Sequence, residues 1–142
     1  MDNIATIIGR PEFLAGGNAF LTVSNGKGEH FTYKIRLHEK SGRHYANVLK
    51  GPDNYSNYKD LALYKPALGD LMPNVYARYG VNSKEYRVLH WAVAIIHGRR
   101  ECPEGWQIQH AGKCCVCARK LTTPESIAAG IGPTCAARMG GE

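Results

Sequence analysis

Apolar and polar residues alternate along two neighbouring stretches in the first half of the chain. The alternating apolar positions are Ala19, Leu21 and Val23 in the first stretch and Phe31, Tyr33, Ile35 and Leu37 in the second. Because successive side chains of a strand point to opposite faces, each stretch predicts a strand with one face in the core. The Asn25-Gly26 step between them is a hairpin signal. With further strands predicted over 44–49 and 59–64, residues 18–64 form an antiparallel β meander, either open or closed into a barrel.

Helical periodicity is strongest over residues 83–97. The apolar stripe consists of Val88, Leu89, Ala92, Ile95 and Ile96, and this spacing is typical of an amphipathic helix. Asn82 is the expected N-cap, Glu85 completes a capping box, and Gly98 ends the helix. One or two helical turns are predicted within residues 2–16. Residues 65–80, which hold two prolines and show little periodicity, are interpreted as a connector.

A sulfur-rich motif dominates the C-terminal part of the chain. His110, Cys114, Cys117 and Cys135 have the spacing H-x3-C-x2-C-x17-C, which is typical of a small structural zinc site. Cys114 and Cys117 are close enough in sequence for one tight turn to aim both thiolates at a single ion. The sequence therefore predicts a Zn²⁺ ion bound by these four residues.

Alternatives remain for the fourth ligand and for the role of the cysteines. Cys102 competes with His110 as the fourth ligand, whereas Cys115, inside the turn, is expected to point away. Reduced buried thiols are a second interpretation, and redox chemistry at the C-x-x-C pair is a third. A Thr-Thr-Pro turn follows the pair in place of the long helix of thioredoxin-like sites, so zinc is favoured.

These elements predict an α+β fold. Residues 1–98 are expected to form a domain with the antiparallel sheet and the helix over 83–97. Residues 99–142 are expected to form a small zinc finger of the treble-clef or knuckle kind.

The net charge of +6 is concentrated in the meander, where residues 27–50 carry +4. Lys and Arg on one surface supply phosphate contacts, and tyrosines near them can stack on unpaired bases. The alternative is that these charges only solvate the outer face of a half-buried sheet. The candidate nucleic-acid or partner-binding residues are Lys34, Arg36, Arg43, Lys50, Tyr55, Tyr58, Arg99, Arg100 and Arg119.

The cysteine motif belongs to a longer pattern. Residues 110–127 contain H-x-G-x-C-x-x-C-x-R-x-L-T-x-P-E-S-I, and residues 130–135 contain G-I-G-P-x-C. This pattern resembles a small zinc-knuckle domain of unknown function found in phage and prophage proteins. Residues 17–23, 31–33 and 49–58 resemble the N-terminal half of the same proteins, so the resemblance covers most of the chain. The resemblance implies a phage origin, a zinc site and an intracellular setting, but no known activity. Ala118 departs from it, because that family usually has glycine after the second knuckle cysteine.

A binding protein is favoured over an enzyme. Three cysteines and one histidine would close the zinc coordination shell, and the H-x-E and P-C-x-x-C pairs of the zinc deaminases are missing. The leading hypothesis is a non-enzymatic zinc-finger protein that contacts nucleic acid or a nucleic-acid-containing complex. The rival is a phage-encoded, anti-CRISPR-like inhibitor that binds a host protein or ribonucleoprotein complex. With neither a membrane-length apolar run nor a signal peptide, a cytoplasmic location in a bacterial host is expected.

Overall fold

A computed structural model of the chain describes residues 7–25, 27–51, 57–77, 79–121, 127 and 130–132. Within these residues the fold is α+β, with one antiparallel sheet of six strands and one α-helix. A 3₁₀ turn over Pro11–Phe13 precedes the sheet. The elements are β1 (Asn18–Ser24), β2 (His30–His38), β3 (Arg43–Leu49), β4 (Tyr58–Lys65), β5 (Asp70–Pro73), α1 (Lys84–Ile96) and β6 (Gln107–His110).

The strand order is β5-β4-β3-β2-β1-β6, so the sheet is open within the described residues and has β5 and β6 at its edges. The alternating stretches form β1 and β2, as predicted, and pair from Asn18 opposite Arg36 to Ser24 opposite His30. The Asn25 side chain accepts hydrogen bonds from the amides of Lys27 and Glu29 and shapes the hairpin turn. β3 and β4 lie where the sequence predicts them.

One face of the sheet, called the covered face below, is apolar and buried. The Tyr33 hydroxyl on this face donates to the Glu85 carbonyl of α1 at 2.8 Å, so the helix packs on this side. Burying each large side chain contributes roughly 1.5–3 kcal/mol. The buried residues of the covered face are Ala19, Leu21, Val23, Tyr33, Ile35, Ala46, Val48, Ala62, Tyr64, Leu71 and Ile108.

The helix begins one residue later than predicted, and its cap differs. Ser83 is the N-cap, since its hydroxyl accepts the Tyr86 amide at 3.2 Å. The prediction of Asn82 as cap is therefore wrong. The Glu85 carboxylate pairs with Lys50 at 2.7 Å and does not close a capping box. Gly98, with a φ of 82°, follows the end of the helix as predicted.

The sequence prediction missed β5, which lies inside the predicted connector. Lys65 pairs with Asp70 across a turn that has Gly69 at a φ of 65°. Four residues are too few to show a strand periodicity. Pro73 at the end of β5 is tolerated because the strand lies at the sheet edge.

The sheet continues past the domain boundary predicted after residue 98. β6 pairs with β1, placing His110 opposite Leu21, and Ile108 is buried in the core. Leu121 and Ile131, beyond β6, belong to the same hydrophobic cluster. The described part of residues 99–142 thus packs on the sheet, and a separately folding finger stays a prediction.

Candidate functional site

The second face of the sheet, called the open face below, is polar and aromatic. The pairing register places its residues directly opposite one another on neighbouring strands. Among its members, Asn47 is buried and the others named here are half-buried or exposed. Those members include Phe20, Thr22, Thr32, Lys34, Arg36, Arg43, Tyr45, Asn47, Tyr58 and Gln109.

Phe20 lies at the centre of one row of contacts across the open face. Its ring centroid is 5.4 Å from the Lys34 Nζ and 5.0 Å from the Lys113 Nζ. Tyr58 approaches Phe20 edge-on, with centroids 6.3 Å apart and rings inclined by 69°, and the Lys34 Nζ is 5.9 Å from the Tyr58 centroid. Two ammonium groups and two aromatic rings therefore alternate, and they are carried by β1, β2, β4 and the segment after β6.

A second row runs parallel to the first. The Arg36 guanidinium lies 5.5 Å from the Tyr45 ring centroid, and the His38 ring meets Tyr45 edge-on at 6.0 Å. Arg36 is two residues along β2 from Lys34, so the rows are about 6.8 Å apart. The two rows are called the cationic–aromatic cluster below, and its members are Phe20, Lys34, Arg36, Tyr45, Tyr58 and Lys113.

The cluster is positively charged. Burial, and then the charges of Arg36 and Lys113, lower the pKa of Lys34. The nearby Asp60 carboxylate accepts a hydrogen bond from Asn47 at 2.8 Å. Neither Lys34 nor Arg36 joins an ion pair within the part of the chain that the structure describes. The like charges raise the energy of this face, and an anion bound there would lower it.

Some of the predicted binding residues share the open face and others do not. Arg43, exposed at the start of β3, lies on it opposite His38, and Lys34, Arg36 and Tyr58 lie on the same face. Tyr55 lies outside the described residues.

The remaining predicted binding residues lie elsewhere. Lys50 pairs with Glu85 of α1, and the Arg99 guanidinium donates to the Gly69 carbonyl at 2.7 Å. Arg100 lines a groove along α1 that also includes Trp91. Arg119 is exposed in the cysteine turn. Lys50, Arg99 and Arg100 therefore make their contacts away from the cluster.

Sequence reasoning missed Phe20, Tyr45 and Lys113. Phe20 and Tyr45 occupy the outward positions of β1 and β3, and an aromatic residue at an outward strand position was the available signal. Lys113 contacts Phe20 only because β6 pairs with β1, and local sequence patterns do not reveal that long-range pairing.

The C-x-x-C pair forms a tight turn directly after β6. The Cys114 amide donates to the Arg119 carbonyl at 2.8 Å, and the Ala118 amide donates to the Cys114 carbonyl at 2.9 Å. Ala118 has a φ of 66°, a left-handed conformation that glycine adopts more easily. Ala118 therefore occupies a position where the backbone favours glycine.

The Cys114 sulfur is surrounded by donors. Its Sγ accepts the amides of Val116 at 3.4 Å and Gly132 at 3.3 Å. Burial opposes ionisation of this thiol, but the amides of Cys117, Gly132 and Val116 and the Cys117 thiol donate to it and lower its pKa to about 7. Several N–H donors directed at one sulfur stabilise a thiolate, the form that binds metal.

His110, the predicted fourth ligand, is buried and uses both ring nitrogens. Nδ1 accepts the Gly112 amide at 2.8 Å, and Nε2 donates to the Ile127 carbonyl at 2.5 Å. In this arrangement neither nitrogen has a lone pair directed at an ion. His110 would bind zinc only after giving up one of these hydrogen bonds.

The other cysteines have different surroundings. The Cys102 thiol donates to the Trp106 carbonyl at 3.4 Å, and burial raises the pKa of Cys102. Cys115 is buried in the core against Gly16, consistent with its expected orientation away from the site. Cys135 lies outside the described residues. Within the described residues, no three or more His, Cys, Asp or Glu side chains are close enough to hold a metal ion.

Comparison with known proteins adds one finding for this α+β protein with a cysteine turn. Residues 108–140 match the sequence profile of a family of unknown function (DUF6011). The match contains the whole cysteine turn and leaves β1–β5 and α1 outside it. No curated protein and no solved structure matches the chain. Among the described residues, no helix combines the length and the apolar character needed to cross a membrane.

Proposed function

We propose that the protein is a non-enzymatic nucleic-acid-binding protein that uses the open face of its sheet. The observation that carries this proposal is the cationic–aromatic cluster, in which three cations and three rings meet on a face that α1 does not cover. Phosphates bound there would screen the repulsion among the cations and release counterions from the nucleic acid.

Binding measured by fluorescence anisotropy at several salt concentrations tests this function. About three phosphate contacts would give a slope of log K against log salt near −2 to −3. Lys34→Gln together with Arg36→Gln is expected to weaken binding and flatten that slope. The matched control is Lys84→Gln, which removes a cation paired with Glu29 away from the open face. If neither DNA nor RNA binds the parent protein at low salt, this function is excluded.

We further propose a structural Zn²⁺ at the cysteine turn, with Cys114, Cys117 and Cys135 as sulfur ligands. The donors around the Cys114 sulfur suit a metal-bound thiolate. The Gly132 amide, three residues before Cys135, already contacts that sulfur. His110 stays the predicted fourth ligand and would exchange its bond to Ile127 for the metal. The ion would cross-link the chain after β6 and hold Lys113 beside Phe20.

Metal analysis of the purified protein tests the zinc site. We expect one zinc per chain in the parent and loss of it in Cys117→Ser. Cys102→Ser, whose thiol contacts Trp106, is the control that keeps the metal. A metal-free parent protein, purified without chelator, would exclude the site. The motif resemblance is what supports a phage origin and a cytoplasmic setting.

A second candidate function is binding of a host protein, as an inhibitor of a host defence complex would do. The observation that favours it is the exposure of Leu68, Val75 and Tyr76, at 67%, 86% and 89%. A stoichiometric protein partner that survives nuclease treatment and is lost in Val75→Ser with Tyr76→Ser would support this candidate.

A further inference from the structure

The open face is too broad to enter a groove of duplex DNA. The B-DNA major groove is about 12 Å wide and admits one helix or a two-stranded ribbon. Five inter-strand spacings make the six-stranded sheet about 24 Å wide. When the whole face lies flat against a duplex, its cations meet the outer backbone, and the rings between them meet no unstacked base.

The rings of the cluster are half-buried and so still reach solvent. Phe20, Tyr45 and Tyr58 are all in this state. A flat ligand that stacks on these rings would remove their remaining exposed apolar surface from water. Paired bases in a duplex are stacked on each other, whereas unpaired bases offer a free face to an aromatic ring.

The order of groups across the face matches the order of groups in a single strand. The Lys113 and Lys34 Nζ atoms lie over the Phe20 ring, 5.0 and 5.4 Å from its centroid. A base that stacks on Phe20 therefore takes the place of an ammonium group, and that group then meets the adjoining phosphate. Arg36 and Tyr45 repeat the pair one row away. A single strand likewise alternates an anionic backbone with flat bases on a flexible chain.

From this geometry we infer that the ligand of the open face is single-stranded nucleic acid, with unpaired bases stacked on Phe20 and Tyr45 and phosphates at Lys34, Arg36 and Lys113. The inference rests on the proposed nucleic-acid-binding function and specifies its substrate. Base identity contributes little, because every base has a face that stacks.

The experiment compares three labelled ligands in one anisotropy assay. They are an oligothymidylate of about 16 nucleotides, near the upper end of single-domain site sizes, a duplex of equal length, and an abasic strand of equal length. We expect the oligothymidylate to bind more tightly than both others. Phe20→Leu, which keeps an apolar side chain, should weaken oligothymidylate binding by about 5- to 150-fold, the value of one stacked base, and leave abasic-strand binding unchanged.

Two further variants keep the test decisive. Tyr45→Leu probes the second row if Phe20→Leu does not fold, as judged by circular dichroism. Arg87→Gln removes an exposed cation of α1 and should leave oligothymidylate binding unchanged. Equal affinity for the abasic strand, or tighter binding of the duplex, would overturn the single-strand inference and leave nucleic-acid binding standing. Failure of all three ligands to bind the parent would overturn both.

Discussion

The two faces of the sheet are made from the same strands but hold opposite chemistry. On β2, Tyr33 and Ile35 are completely buried against the core and α1, whereas Lys34 and Arg36 project toward the aromatic rings of the open face. On the covered face, the Tyr33 hydroxyl donates to the Glu85 carbonyl of α1. The open face gathers like charges around its aromatic rings. This difference is the basis for proposing the open face as the binding surface.

The largest expected effect is on the free energy of unfolding, and it compares two neighbouring positions of β2, one on each face. Ile35→Ala leaves a cavity in the covered face and should lower the free energy of unfolding by about 2–5 kcal/mol. Arg36→Gln should change it by no more than about 0.5 kcal/mol, while weakening nucleic-acid binding. Urea unfolding and the anisotropy assay measure both. A large stability loss in Arg36→Gln would mean that the open face is structural.

Alkaline pH should act on the covered face. Burial raises the pKa of Tyr64 to about 12, although Arg99 lowers it, and burial also raises the pKa of Tyr33. Above pH 10 the unfolded chain loses these protons and the folded chain keeps them, so stability is complete below about pH 10 and falls above it.

Tyr64→Phe checks this pH dependence. The variant loses the hydrogen bond to His97, 2.7 Å long, and should be less stable at neutral pH by about 1 kcal/mol. Between about pH 10 and 12, its free energy of unfolding should then fall less steeply than that of the parent. The two slopes should differ by at most about 1.4 kcal/mol per pH unit. Parallel curves for the two proteins would contradict burial as the cause.

Sequence patterns predicted the covered face better than the open one. Alternation located β1 and β2, and helical periodicity located α1, because burial imposes one strong rule on every position. β5 was not predicted because four residues are too few to show a period of two. Asn82 was predicted as the N-cap in place of Ser83 because both residue types can fill that role.

For the candidate site, the charge pattern of the sequence placed in one binding surface several residues that lie apart in the fold. Lys50 and Arg99 were predicted to share a binding surface with Lys34, although each contacts a group on the helix side. Those contacts depend on tertiary packing, which the charge pattern does not show. The cysteine spacing correctly placed Cys114 and Cys117 in one turn. It carried no information on the two main-chain hydrogen bonds of His110, which arise from the neighbouring loops.

Ala118 provides a smaller test in which neither face takes part. Its left-handed backbone conformation costs an L-residue roughly 1–2 kcal/mol, part of which is offset by the greater freedom of glycine in the unfolded chain. Ala118→Gly should therefore raise the free energy of unfolding by about 0.5–1 kcal/mol. Ala67→Gly, in an exposed turn without a positive φ, should have the opposite sign. A destabilised Ala118→Gly would show that the turn does not strain this residue.

The smallest expected effect probes the charge repulsion of the open face directly. Lys34→Met keeps an unbranched chain against Phe20 but removes the charge beside Arg36 and Lys113. Relief of repulsion is opposed by lost cation–π contacts, worth about 0.5–1 kcal/mol each at exposed sites, so total stability should shift by less than about 0.5 kcal/mol. The salt dependence of the free energy of unfolding shows whether the cations repel one another, since about 1 M salt shortens the screening length to about 3 Å.

The parent should therefore gain more stability than Lys34→Met between low and high salt, because only the parent has this repulsion to screen. Lys84→Met breaks the exposed pair with Glu29. High salt weakens that attraction in the parent only, so here the parent should gain less stability from salt than the variant. Urea midpoints at the two salt concentrations measure both differences. If Lys34→Met and the parent respond equally to salt, the cations of the open face do not repel one another appreciably, and the electrostatic part of the contrast between the faces fails.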